Sequence, residues 1–142
     1  MRERHDDWSA IAYVTTPGSN QTVLIKDRRR SDIALWKLPG GKRESYEQDP
    51  KETVIRELKE ETGLDSIGTR LLGIEDRGDH DMYLFHVVVA SFEDLVPIGA
   101  DGEETGLFPQ EEVRNGMPDF FPSHMLLVQK TGILPQPAAG CL

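Results

Sequence analysis

Glu57, Glu60 and Glu61 lie in the stretch RELKEETGL at 56–64, and Glu44, Glu47 and Glu52 precede them closely. Like charges three or four residues apart on a helix repel one another. Carboxylates are acceptors only, so such a group either faces water or gathers around something positive. RELKEE alone is ordinary surface-helix composition, with Arg56 and Lys59 to balance the charge. Its context is not ordinary. The glycine pair Gly40-Gly41, a glutamate six residues later and a capped helix ending in EETG stand in one segment. A hard divalent cation suits clustered oxygen donors, and Mg2+ fits, with Mn2+ as a substitute.

The element that must carry these glutamates is a helix over roughly 50–62. Asp49 is a capping residue, Pro50 fits the first turn, Glu52 can close a capping box and Gly63 is a stop. On a wheel with Glu57 at zero, Glu61 falls at about +40° and Glu60 at about −60°. Val54, Leu58, Thr62 and Ile55 fall between about +60° and +160°, so that stripe packs on the protein and the glutamates border it. Carboxylates beside a core are partly desolvated and need a counter-charge.

The segment closely resembles the box of the Nudix hydrolase family (MutT-like), whose pattern is G-x5-E-x7-R-E-U-x-E-E-x-G-U with U aliphatic. Gly41, Glu47, Arg56-Glu57-Leu58, Glu60-Glu61, Gly63 and Leu64 fill the fixed positions, and WKLPG at 36–40 resembles the lead-in. One departure stands out: eight residues, not seven, separate Glu47 from Arg56. Aligning from the helix end would instead place Gln48 at the first glutamate and Lys42 at the glycine. An extra loop residue near Gln48 keeps the Asp49-Pro50 cap intact and is preferred.

The resemblance implies an α/β/α sandwich with a mixed β-sheet and metal-dependent hydrolysis of a nucleoside diphosphate linked to a moiety X. It implies Glu60 and Glu61 as metal ligands, Glu57 as a third ligand or general base, and the main-chain oxygen of Gly40 as a further ligand. Arg56 is expected to reach back to the loop and pair with Glu47 or Glu44, which gives Glu47 a supporting role. A later loop offers Glu103, Glu104, Glu111 and Glu112 as a possible base, and of these Glu104, ahead of Leu107-Phe108-Pro109, is the candidate for one more ligand. The expected substrate is a nucleoside triphosphate or a damaged (d)NTP. Alternatives are a dinucleoside polyphosphate, a nucleotide sugar, or a non-catalytic nucleotide-binding module. Such modules usually lose box glutamates, and these are present.

Other residues invite chemistry less strongly. Arg28, in the triplet 28–30, is a phosphate-binding candidate because guanidinium matches phosphate geometry. Phe121 is a candidate for stacking on a base, with Phe120, Trp36 and Tyr83 in reserve. Asp79-His80-Asp81 could hold a metal, but beside Gly78 these are turn residues. His86 alternates within a strand and is expected to be packed or hydrogen-bonded.

The remaining elements follow from pattern. WSAIAYVT at 8–15 and QTVLIK at 21–26 read as strands joined by PGSN as a hairpin. Strands are expected at 67–77 and 82–92 with a turn at 78–81, a polar loop at 93–105, a short helical PQEEV, and a helix over 122–132. Strands, helix, strands, helix suggests a mixed sheet covered by helices, in the α/β or α+β class. A length of 142 residues suits one domain, taken as 1–132 with a mobile tail over 133–142.

The formal charge of −9 disfavours bulk nucleic-acid binding. No run of about 18 apolar residues suggests a membrane span, and the charged start MRERHDDW shows no secretory signal. A lone cysteine, Cys141, forms no internal disulfide. Together these favour the cytoplasm, a small-molecule nucleotide as partner, and a monomer or homodimer.

Overall fold

In the computed structural model, residues 4–27, 35–117 and 119–131 are described. Arg28 with its neighbouring arginines, and the expected tail, lie outside these residues. The elements are β1 (Trp8–Thr15), β2 (Gln21–Asp27), β3 (Trp36–Lys37), β4 (Gly40–Lys42), α1 (Pro50–Thr62), β5 (Ser66–Asp76), β6 (Asp81–Val89), β7 (Glu103–Pro109), α2 (Gln110–Arg114) and α3 (Pro122–Thr131).

One sheet has the order β4-β1-β6-β5 and is mixed: β1 runs parallel to β6, while β4 and β5 are antiparallel to their neighbours. The other has the order β3-β2-β7 and is antiparallel. Side-chain alternation along β1 builds the sandwich. Ala10, Ala12 and Val14 pack with Val54 and Leu58 of α1, while Ile11 and Tyr13 pack with Leu127 and Val128 of α3. The mixed sheet therefore lies between the two helices, which is the α/β/α arrangement.

The structure corrects three expectations. β1 and β2 do not pair as a hairpin. Both edges of the apolar β1 are taken, by β4 and β6, so the turn after Thr15 passes the chain into the second sheet. Residues 103–105 are not loop but the start of β7, paired with Asp27, Lys26 and Ile25. Ile55 of α1 is exposed, whereas Thr53 is fully buried. Thr53 Oγ1 accepts from Trp8 Nε1 and donates to Glu47, which gives a polar residue a reason to turn inward.

The helix ends form as their residues dictate. Asp49 accepts the Glu52 N–H at 3.0 Å, and Gly63 closes α1 with φ 79°. Among the described residues no helix is long and apolar enough to cross a membrane.

Candidate active site

The Gly40-Gly41 turn and α1 meet at the glutamates. The Gly40 N–H donates to Glu61 Oε1 at 2.7 Å. A Cβ on Gly41 would lie 2.6 Å from the Glu57 carboxyl, so the absence of a side chain there lets Glu57 lie against β4.

Arg56 organises the other flank. Its Nε donates to Glu47 Oε2 at 2.9 Å, one terminal nitrogen to Glu57 Oε1 at 2.9 Å and Glu60 Oε2 at 3.1 Å, and the other to the Lys42 carbonyl and Glu47 Oε1. Glu47 is 1% exposed. Burial works against its charge, but hydrogen bonds from Arg56, the Glu44 N–H and Thr53 outweigh this and hold its carboxyl below the usual range. The residue in excess between Glu47 and Arg56 is accommodated without disturbing these contacts. Gln48 is exposed, and its N–H donates to Glu52 just ahead of the helix cap.

The second sheet supplies a further carboxylate. Glu103 is 6% exposed, and its charge acts on both Glu57 and Glu61. The loop before β7 delivers it. Ala100 N–H donates to the Glu60 carbonyl and Val96 N–H to the Thr62 carbonyl, capping open groups at the end of α1. Gly99 sits so close to α1 that an added Cβ would be 2.5 Å from the Glu61 carbonyl oxygen. Glu104 is the expected ligand from this region; strand alternation puts Glu103 and Glu104 on opposite faces of β7, and Glu103 is the one whose charge reaches Glu57 and Glu61. The pattern EETG carried the two-residue period that separates the pair, but only once 103–105 is recognised as strand.

The electrostatics are those of a crowded anionic site. Burial is the largest influence on Glu61, and the charges of Glu57 and Glu103 add to it. Together they push its pKa from 4.5 to about 9, against the Gly40 N–H and Lys37. Glu57 is likewise raised by burial, against the opposing effect of Arg56. Glu60 is the most open of the box glutamates, its side chain 42% exposed.

Other candidates fall elsewhere. Phe120 is buried in the core, while Phe121 is half-buried with its ring 5.0 Å from that of His124. His86 Nε2 lies 2.7 Å from Thr15 Oγ1. The segment at 78–80 is the expected turn, but Asp81 is a buried β6 residue. It forms a group with His5 and Asp76 whose ligand atoms lie within 4.8 Å of one another. His5 Nε2 bonds Asp76 and its N–H bonds Asp81, so hydrogen bonds already tie this group together.

Residues 6–129 match the family model described as NUDIX domain. The chain belongs to the Nudix family. Two relatives come from Bacillus subtilis (strain 168). YjhB, provisionally named an ADP-ribose pyrophosphatase, is 28% identical over 101 residues, covering 66% of this chain and 47% of that protein. A protein provisionally named an 8-oxo-dGTP diphosphatase is 30% identical over 96 residues, covering 66% of this chain and 60% of that protein. The matched part of this Nudix chain thus spans about half the length of these relatives. A solved MutT from Aliivibrio salmonicida or Vibrio cholerae has the same fold, with TM-score 0.67 and 19% identity over 88% of this chain and 95% of that one. The order of helices and sheets described above is thus a Nudix fold.

Proposed function

We propose that the protein is a metal-dependent pyrophosphohydrolase acting on a nucleoside diphosphate linked to X, with a nucleoside triphosphate or an oxidised (d)NTP as its substrate. The observation that carries this reading is the gathering of Glu57, Glu61 and Glu103 in a largely buried site, where burial first and the like charges after it raise Glu61 to about 9. Such a donor set is hard, oxygen-only and over-supplied with negative charge, which suits Mg2+.

Glu60, Glu61 and Glu103 would hold the ion, with the Gly40 carbonyl as a further oxygen. When bound, it would offset the charge of the pyrophosphate and polarise a phosphoryl oxygen. The chain's own residues do the rest. Glu57 would serve as another ligand or take the proton from the attacking water; burial raises its pKa, which makes its carboxylate the stronger base. Arg56 holds the Glu57 carboxylate and the Glu47 loop in place, a supporting role that orients ligands. Phe121 is the candidate for contact with the base, and Arg28 for contact with phosphate.

The relative named for 8-oxo-dGTP favours the triphosphate reading, and the one named for ADP-ribose supports a second, in which X is a sugar. A panel of (d)NTPs, 8-oxo-dGTP, ADP-ribose, nucleotide sugars and diadenosine polyphosphates, incubated with Mg2+ and resolved by chromatography, separates the two. Release of a nucleoside monophosphate and pyrophosphate from a triphosphate is the expected result. Cleavage confined to ADP-ribose would replace the substrate, and no cleavage with either Mg2+ or Mn2+ would remove the enzymatic reading.

A further inference from the structure

His124 lies on α3, on the opposite side of the mixed sheet from α1. It is 5% exposed and bonds the segment that leads into the glycine pair: the Leu38 N–H donates to its Nδ1 at 3.2 Å. The surrounding backbone explains why a side chain is needed there. The Trp36 N–H donates to the Asp119 carbonyl at 2.7 Å, and the Phe121 N–H donates to the Trp36 carbonyl at 2.8 Å. These two bonds make a parallel bridge between Trp36 and Phe120. The next rung of a parallel ladder would run from the Leu38 N–H to the Phe121 carbonyl. That carbonyl instead accepts the His124 N–H at 3.1 Å as the chain turns into α3. His124 Nδ1 occupies the missing acceptor's place. Leu38 is fully buried, so its amide has no water to turn to.

Two residues on, the Gly40 N–H meets Glu61 at 2.7 Å. Between them, the Pro39 carbonyl accepts the Ala12 N–H at 2.8 Å. The segment is thus held from β1 on one side and from His124 on the other, and it ends on a site carboxylate. Burial depresses the His124 pKa to about 3, so the ring is neutral and Nδ1 keeps its lone pair.

We propose that His124 is a positioning residue for the acidic site: it accepts the Leu38 amide where the β3 ladder ends and so sets the Gly40 N–H against Glu61. This rests on Glu61 being a metal ligand. It concerns how the ligand is held, not the chemistry.

The test uses the whole chain and three substitutions. His124→Phe keeps an aromatic ring without the acceptor. His124→Asn places an oxygen close to the position of Nδ1, and His124→Gln carries it one bond further. Amide exchange at Leu38, followed by NMR, reads the contact without reference to activity. Mn2+ binding, followed by electron paramagnetic resonance, reads the site. His124→Phe is expected to lose Leu38 protection, with Mn2+ affinity and kcat each falling about tenfold and KM little changed. His124→Asn is expected to stay near the unaltered protein.

Unchanged Leu38 exchange and Mn2+ affinity in a folded His124→Phe protein would overturn the proposal, as would a His124→Asn protein as impaired as His124→Phe. If His124→Phe does not fold, the decision passes to Asn against Gln, and equal Leu38 exchange in those two overturns it. Failure of the hydrolase reading would show separately, as absent turnover in the unaltered protein, while the exchange and Mn2+ measurements still decide the role of His124.

Discussion

Arg56 Nε lies 2.9 Å from Glu47 Oε2, with the two side chains 16% and 2% exposed. The pair joins the loop after the glycine turn to the middle of α1. Replacing Arg56 by Ala would leave the Glu47 charge buried and without its cation, at a cost of about 3 kcal/mol. Arg56→Lys should also destabilise, because one ammonium cannot satisfy Glu47, Glu57 and the Lys42 carbonyl together. Urea unfolding at neutral pH measures both. Glu47 adds a pH signature. Its folded pKa is depressed, so its contribution is present above its ordinary value and is lost as pH falls through the folded one. The gap between Arg56→Ala and the unaltered protein should therefore narrow in acid. Equal urea midpoints at neutral pH would rule out the pair as a stabilising contact.

Adjacent glycines should respond differently to alanine. A Cβ on Gly40 would lie 2.2 Å from the Ala10 carbonyl oxygen and 2.7 Å from Ile11 Cα, both backbone atoms that cannot swing aside. Gly40→Ala should cost more than about 2 kcal/mol or prevent folding. The nearest atoms to a Cβ on Gly41 are those of the Glu57 carboxyl, the end of a flexible side chain. Gly41→Ala should fold with nearly unchanged stability yet bind Mn2+ about tenfold more weakly, because Glu57 must move. Thermal melts together with Mn2+ titration separate the two cases. A Gly41→Ala protein with unaltered Mn2+ affinity would take Glu57 out of the ligand set.

What could be read from the sequence divides along the range of the interactions. The ends of α1 were legible because Asp49, Pro50, Glu52 and Gly63 act within one turn of themselves. The strands were largely legible, but their partners were not. A turn of Pro-Gly type after β1 looks like a hairpin, and nothing local reveals that β1 has both its edges taken by segments far along the chain. The wheel placed Ile55 in the packed stripe, but it could not foresee that Thr53 would be drawn in by Trp8 and Glu47. The sequence offers Glu103 beside Glu104 without separating them, for the same kind of reason. The position of Glu103 depends on a loop that caps the end of α1, and no spacing within EETG announces that contact.

The choice between Glu103 and Glu104 has a direct consequence. Glu103→Gln removes one like charge from beside Glu57 and Glu61 and one candidate ligand. It should lower metal-dependent turnover by about 10- to 100-fold. Glu104→Gln, on the other side of β7, should stay close to the unaltered protein. Steady-state kinetics over a range of Mg2+ concentration would show the Glu103 loss as a higher metal requirement. Full activity in Glu103→Gln, or an equal fall in Glu104→Gln, would return the assignment to Glu104 or to neither.

The raised pKa of Glu61 ties stability, pH and metal together. Between its ordinary 4.5 and about 9, the folded protein holds a proton that the unfolded chain has released. Stability of the metal-free protein from this group must then fall as pH rises through that window. A divalent ion bound by the ionised carboxylate reverses the sign, because binding displaces the proton and stabilises only the folded state. The stabilisation given by a fixed Mg2+ concentration should therefore grow with pH, being larger at about pH 8.5 than at about pH 6. Melting curves at the two pH values measure this, and calorimetry in two buffers of different ionisation enthalpy counts the protons released. Glu61→Gln cannot release one, so it should melt with a weaker pH dependence and show little Mg2+ response. An Mg2+ shift that is the same at both pH values, with no proton release, would mean that Glu61 is not the carboxylate the ion meets.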